Sequence, residues 1–281
     1  MGKNVIAVLT RGYNNTADYE KLIIRNQCIY LQFYFKVNDP TNYDIIIFHE
    51  GNITKQQQKH IQEQQPLLPL IFVPVKFYSP KRNDEKCPPT KYSEQFGIGY
   101  KNMCYFWSID FMEYLKEYDY VIRIDEDCHL KYMEPNLVQE YKSRGVHFAS
   151  PYYQSTNVNE EGKVVPGMDY PTAMVGMEDL FREFLRENNI KPYIEKVEAG
   201  PYTNVMLVNI QYFRNNENVQ KVLHKIKKSN CILSNRWGDL PIWGYILTLL
   251  VDPRHYIKEP RIRYYHGSHN SEISESEYKP L

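Results

Sequence analysis

Short apolar runs alternate with amphipathic stretches along the first half of the chain. Lys3–Leu9 (KNVIAVL) has the nearly unbroken apolar pattern of a strand buried on both faces. Thr16–Tyr30 follows with helical spacing, and Thr16 can cap its start through the hydroxyl. Tyr43–His49 (YDIIIFH) reads as a second strand and Thr54–Gln64 as a polar surface helix. Leu70–Phe77 reads as a third strand, in which Pro74 lacks an N–H for the ladder and so marks an edge or a bend. Tyr100–Tyr118 then reads as a longer helix and Tyr120–Ile124 (YVIRI) as a fourth strand. Strands separated by helices predict an α/β chain with a mostly parallel central sheet flanked by helices.

The second half is less regular. Val146–Ser150 is strand-like, Glu160–Gly167 is a turn-rich loop suited to a mobile lid, and Thr172–Asn188 has helical spacing. Tyr202–Ile210 reads as a strand, Asn216–Ser229 as a basic amphipathic helix, Asp239–Val251 as a buried helix and Ile262–Tyr265 as a last short strand. Repeats, low-complexity linkers and abrupt shifts of composition are absent from the sequence. One continuous domain over residues 1–281 is expected, with a nucleotide-type half (1–130) and a substrate-shaping half (131–281).

Composition narrows the function classes. The 281 residues carry 34 basic and 34 acidic side chains, and this neutrality argues against a nucleic-acid binder that works by phosphate neutralisation. No apolar run approaches the roughly 18 residues that span a bilayer, so no transmembrane segment is expected. The start, Met1-Gly-Lys-Asn, lacks a basic and apolar leader, which favours a cytoplasmic or viral-factory setting; a Golgi-lumen one would require an anchor preceding these residues. Five cysteines without a Cys-x-x-Cys pair fit neither a disulfide framework nor a zinc ribbon and read as mostly reduced. The 25 tyrosines supply aromatic faces with polar tips, useful against sugars and nucleosides, although AT-rich coding explains most of them.

The chemistry concentrates at Asp125-Glu126-Asp127, directly after the Tyr120–Ile124 strand. Three adjacent carboxylates repel one another, and a divalent cation relieves that repulsion. In an open α/β sheet ligands bind beyond the carboxyl ends of the strands, where these residues fall. In an extended segment Asp125 and Asp127 would point the same way and Glu126 the other. A hard cation on such a pair commonly bridges a diphosphate. The sequence has no phosphate-binding Gly-x-x-x-x-Gly-Lys loop and no kinase signature, which leaves chemistry in which a nucleotide is the leaving group, such as sugar transfer.

Four blocks in order carry a resemblance: Gly99-Tyr-Lys-Asn-Met-Cys-Tyr-Phe-Trp-Ser108, Tyr120-Val-Ile-Arg-Ile-Asp-Glu-Asp-Cys128, Arg236-Trp-Gly-Asp-Leu-Pro241 and Tyr264-Tyr-His-Gly267. Together they resemble the fungal α-1,2-mannosyltransferases of glycosyltransferase family 15. The resemblance implies a GT-A fold, a GDP-mannose donor, Mn²⁺ or another divalent cation, a glycan or glycoprotein acceptor, and retention of anomeric configuration. It places Asp125, Asp127 and His266 at the metal, and Arg11, Tyr100, Asp125 and Tyr265 at the donor nucleotide. Asp239 falls where it would orient the acceptor, and Asn204 close to the reacting sugar.

Three departures bear on the chemistry. Met206 stands where the family has a glutamate considered as a nucleophile, and a thioether cannot take that role. Tyr105 replaces an arginine and Glu126 a proline, so donor contacts are expected to differ. A UDP-sugar transferase and a non-catalytic carbohydrate-binding protein on the same fold are the rival readings.

Overall fold

The structure is a computed structural model that describes residues 2–10, 43–64, 66, 68, 70–79, 93–155, 173–197 and 199–266. The expected helix at Thr16–Tyr30, the Glu160–Gly167 loop and Arg11 lie outside the described residues. The strands are β1 (Lys3–Thr10), β2 (Tyr43–His49), β3 (Leu70–Pro74), β4 (Tyr118–Ile124), β5 (Cys128–Met133), β6 (Phe148–Ser150), β7 (Tyr153–Ser155), β8 (Ala199–Pro201), β9 (Val205–Asn209), β10 (Tyr256–Lys258) and β11 (Ile262–His266). The longer helices are α1 (Lys55–Gln64), α2 (Ile98–Tyr105), α3 (Leu137–Arg144), α4 (Met177–Glu187), α5 (Glu217–Ser229) and α6 (Asp239–Leu250).

Seven strands form the central sheet in the order β10-β6-β9-β4-β1-β2-β3. Neighbours are parallel except around β9, which runs antiparallel to both β4 and β6. The mixed α/β layering is therefore the one that the alternating pattern predicts. β3 stops at Pro74 and lies at the sheet edge, as a residue without a ladder donor requires.

Aromatic packing fills one face of the sheet, where Trp107, Trp243, Phe148 and Phe213 meet helices α4 to α6. The other face is covered through Tyr120, Tyr141 and α3. Helix α6 is buried at nearly every position, which explains its apolar, non-periodic sequence. Asn216 caps α5 by accepting from the Val219 N–H at 3.1 Å.

Two elements differ from expectation. The stretch expected as one helix over Tyr100–Tyr118 is α2, then a π-helical turn at Phe106–Asp110, then a short helical turn at Phe111–Tyr114. That wider turn seats Trp107 and Phe111 in the core and leaves the chain free to enter β4 at Tyr118. The strand expected over Tyr202–Ile210 is confined to Val205–Asn209, with Thr203 and Asn204 in a turn before it.

Among the described cysteines Cys104 and Cys128 are buried free thiols, whereas Cys231 is disulfide-bonded. No described helix is long and apolar enough to cross a membrane.

Candidate active site

The sheet topology explains how residues far apart in sequence meet. Because β9 is antiparallel to β4, its amino end faces the carboxyl end of β4, and Ile124 pairs with Val205. Asn204 therefore reaches Asp125, whose N–H donates to the Asn204 carbonyl at 2.8 Å. Outside the main sheet β11 pairs antiparallel with β5, setting His266 opposite Cys128 and beside Asp127. His266 Nε2 lies 3.2 Å from Asp127 Oδ2.

These residues line a cavity of about 440 Å³ at the carboxyl ends of β1, β2 and β4. Of the site residues expected from sequence, Tyr100, Asp125, Asp127, Asn204, Asp239 and His266 line it. Tyr265 does not: it is buried, and strand alternation turns it away from the side shared by Tyr264 and His266. Arg11 lies outside the described residues.

The acidic triad departs from its expected geometry. Residues 125–127 form a tight turn closed by the Cys128 N–H to the Asp125 carbonyl at 2.9 Å, so alternation does not apply. Glu126 lines the cavity with its neighbours instead of pointing away, and accepts a 2.6 Å hydrogen bond from the buried Thr10 hydroxyl at the end of β1. Asp125 accepts from Arg123 Nε at 2.8 Å, Arg123 Nη2 at 3.1 Å and Asn204 Nδ2 at 3.1 Å. Burial raises the Asp125 carboxyl, and the Arg123 guanidinium opposes that rise.

Asp239 opens α6, but it does not act as its cap. Gly238 takes the cap position, and the Asp239 carboxylate accepts from Arg123 Nη1 at 2.5 Å. Only 5% of Asp239 is exposed, so any hydroxyl that meets it must enter the cavity. Gly238 allows a close approach, since a Cβ there would stand 3.2 Å from Pro241 Cδ, a tight contact.

Two arginines inside the matched blocks carry no role in the motif reading. Arg123 is 1% exposed, with its guanidinium 4.7 Å from the Trp107 ring. Burial alone would lower its pKa, but Asp125 and Asp239 hold it raised. The signal was available in Tyr-Val-Ile-Arg-Ile: a charge inside a buried strand demands partners. Arg236 also lines the cavity, with its guanidinium 3.4 Å from the Phe96 ring centroid and 5.3 Å from that of Tyr100. It adopts φ of 57°, a left-handed conformation that ends the helical turn at Cys231–Asn235 and turns the chain toward the cavity.

The donor set suits a hard divalent cation. Asp127, Cys128 and His266 place one potential ligand atom each within 4.8 Å of one another. Burial raises the Cys128 thiol well above its ordinary pKa, and for a hard cation the carboxylate and the imidazole are better matched donors than sulfur.

Neither a protein-family model nor a curated protein sequence matches the chain. Solved structures do. Core-mannan synthase A (CmsA/Ktr4) of Aspergillus fumigatus, in its Mn/GDP form, superposes with a TM-score of 0.71 at 15% identity, over 95% of this chain and 75% of that one. The chain has a GT-A glycosyltransferase fold. The GT-A likeness extends to the mannosyltransferase Ktr4p of S. cerevisiae in complex with GDP (TM-score 0.69, 16% identity, 94% and 71% covered). It reaches more distantly to mouse xyloside xylosyltransferase 1 (TM-score 0.50, 15% identity, 91% and 84% covered). The fold agrees with what the four sequence blocks imply.

Proposed function

We propose that the protein is a metal-dependent glycosyltransferase that moves a hexose, mannose from GDP-mannose, onto a hydroxyl of a glycan or glycoconjugate. The observation that carries this reading is the Asp127–His266 pair, brought together by the β5–β11 ribbon at the rim of a cavity beyond the sheet's carboxyl ends. Of the three expected ligands Asp127 and His266 would hold the cation, with Asp125, whose oxygens accept from Arg123 and Asn204, standing behind them, and a divalent ion there would stabilise the charge that develops on a departing nucleoside diphosphate. The A. fumigatus neighbour was solved in an Mn/GDP form and the S. cerevisiae neighbour with GDP, which supports the same donor class here.

The remaining roles fall to this chain's own side chains. Asn204, bonded to Asp125 and 3.4 Å from His266 Nε2, sits where the sugar meets the metal edge. Asp239 accepts a hydrogen bond from the acceptor hydroxyl and orients it. Tyr100 and Arg236 present an aromatic and a cationic surface on the same cavity. Met206 is fully buried in the core and does not line the cavity, so β9 offers no carboxylate nucleophile. Retention then follows a front-face course in which the acceptor enters on the side from which the diphosphate leaves, and a phosphate oxygen takes its proton. Tyr105 is buried against Tyr78 and does not line the cavity, so Glu126 is the departure that bears on donor choice.

Purified protein incubated with Mn²⁺ and a panel of nucleotide sugars tests the reading through nucleotide release with and without EDTA. GDP-mannose should give the largest EDTA-sensitive release. A preference for UDP-sugars would overturn the mannose assignment, and no release from any donor would leave a carbohydrate-binding protein.

A further inference from the structure

We infer that Arg123 is a positioning residue of the transfer reaction, one guanidinium that fixes the spacing between the carboxylate behind the metal pair and the carboxylate that meets the acceptor. This rests on the reading of the cavity as a glycosyltransferase site.

Both sides of the planar fork are used. Nε and Nη2 donate to the two oxygens of Asp125 at 2.8 and 3.1 Å, and Nη1 donates to Asp239 Oδ2 at 2.5 Å. Beyond Asp125 the contacts continue: Asn204 Nδ2 donates to Asp125 Oδ2 at 3.1 Å and lies 3.4 Å from His266 Nε2, which lies 3.2 Å from Asp127. A line of polar contacts thus runs from the acceptor carboxylate to the metal pair, with Arg123 as the member that spans two elements, β4 and α6.

The fork is itself held. Its guanidinium faces the Trp107 ring at 4.7 Å, and Nη2 lies 3.6 Å from Met103 Sδ. Trp107 belongs to the π-helical turn, and its carbonyl accepts from Trp243 Nε1 of α6 at 3.1 Å. The turn that supports Arg123 therefore also fixes the helix that carries Asp239.

A buried ion pair kept for stability alone is the competing account, and such pairs contribute little net stability. Placement favours positioning, because Arg123, Asp125 and Asp239 all line the cavity. Arg123's cross-strand partners are Ala7 and Met206, neither of which bonds the guanidinium, and its hydrogen bonds among the described residues go to Asp125, Asp239 and Met103, all of which line the cavity. Lysine keeps the charge but cannot reproduce a fork bonded on two sides.

Kinetics of Mn²⁺-dependent nucleotide release, with the nucleotide sugar that the wild type uses best, test the inference. Arg123→Lys is expected to lower kcat about 100-fold, the scale of a misplacement near 1 Å. Donor KM and the Mn²⁺ dissociation constant should stay within about threefold. Asp239→Asn should lose a comparable factor, and the double variant should be no slower than the slower single variant, since the two act as a unit. Losses that multiply in the double variant, or an Arg123→Lys loss that appears in KM or Mn²⁺ affinity, would overturn it. If Arg123→Lys shows no cooperative melting, the cycle of Asp125→Asn with Asp239→Asn is read instead: non-additive losses in kcat support the role and additive ones refute it. A wild type inactive with every donor removes the glycosyltransferase reading and Arg123's role together, whereas an active wild type with additive losses removes the role alone.

Discussion

His266 and His147 show how one residue type is put to two uses. His266 ends β11 with a carboxylate oxygen 3.2 Å away and an amide at 3.4 Å, on a cavity wall. His147 directly precedes β6, its ring stacked 3.8 Å from Tyr212 and 4.8 Å from His255. Burial first, and the neighbouring His255 second, lower the His147 pKa to about 4. A histidine among carboxylates is suited to a cation, whereas a histidine in an aromatic stack is held neutral and fills space.

The contrast can be broken most directly by substitution. Asp127→Ala or His266→Ala should lower metal-dependent nucleotide release by about 10³-fold and abolish Mn²⁺ binding, measured by calorimetry, because removing one preorganised group at a developing charge costs on that scale. His147→Phe should leave kcat/KM within about twofold. Equal losses at the two histidines would erase the distinction.

Gly238 sharpens the picture from the backbone side. Gly238→Ala forces a Cβ against Pro241 and should lower stability by about 1–3 kcal/mol in denaturant melts. It should also slow turnover, because Asp239 follows directly. A variant of wild-type stability would show that α6 shifts freely at its start.

Glu126 tests the donor side of the cavity. Glu126→Pro, the residue of the resembled family, should change the ratio of GDP-sugar to UDP-sugar turnover by up to about tenfold, the range of a single hydrogen-bonding contact. An unchanged ratio would place donor choice elsewhere on the cavity wall.

The smallest effect is a slope. The folded pKa of His147 lies below its ordinary value, so between about 6.5 and 4 the unfolded chain binds a proton that the folded chain refuses. Stability from this group is present above pH 6.5 and is lost as pH falls toward 4. Melting temperature should drop across that window in the wild type and drop less steeply in His147→Phe.

Much of this was legible in the sequence. The buried runs at Lys3–Leu9 and Tyr43–His49 became β1 and β2, and Pro74 ended an edge strand, because apolar pattern and missing donors act locally. The carboxylates after β4 were visible as a cluster, but their directions were not: a tight turn at 125–127 replaced the extended segment that alternation assumes. His266 emerged only through motif resemblance, since the β5–β11 pairing joins positions more than a hundred residues apart and leaves no local trace. Arg123 needed only the question of what pairs a charge inside a buried strand. Its partner Asp239 could not be read, because the two lie 116 residues apart, and the turn whose Trp107 touches both Arg123 and α6 is a π turn that helical periodicity does not reveal.

The reversed direction of β9 has a consequence for how such a chain diversifies. In a fully parallel sheet every segment at this rim must follow a strand, and changing it disturbs the link to the next helix. Here Tyr202, Thr203 and Asn204 reach the rim ahead of their strand, and the chain on their other side is the short β7–β8 ribbon. Side chains of that stretch can be exchanged while the seven-strand ladder stays in register, so selectivity is adjustable by inheritance there, within the limit set by Asn204, whose carbonyl and amide both bond to Asp125.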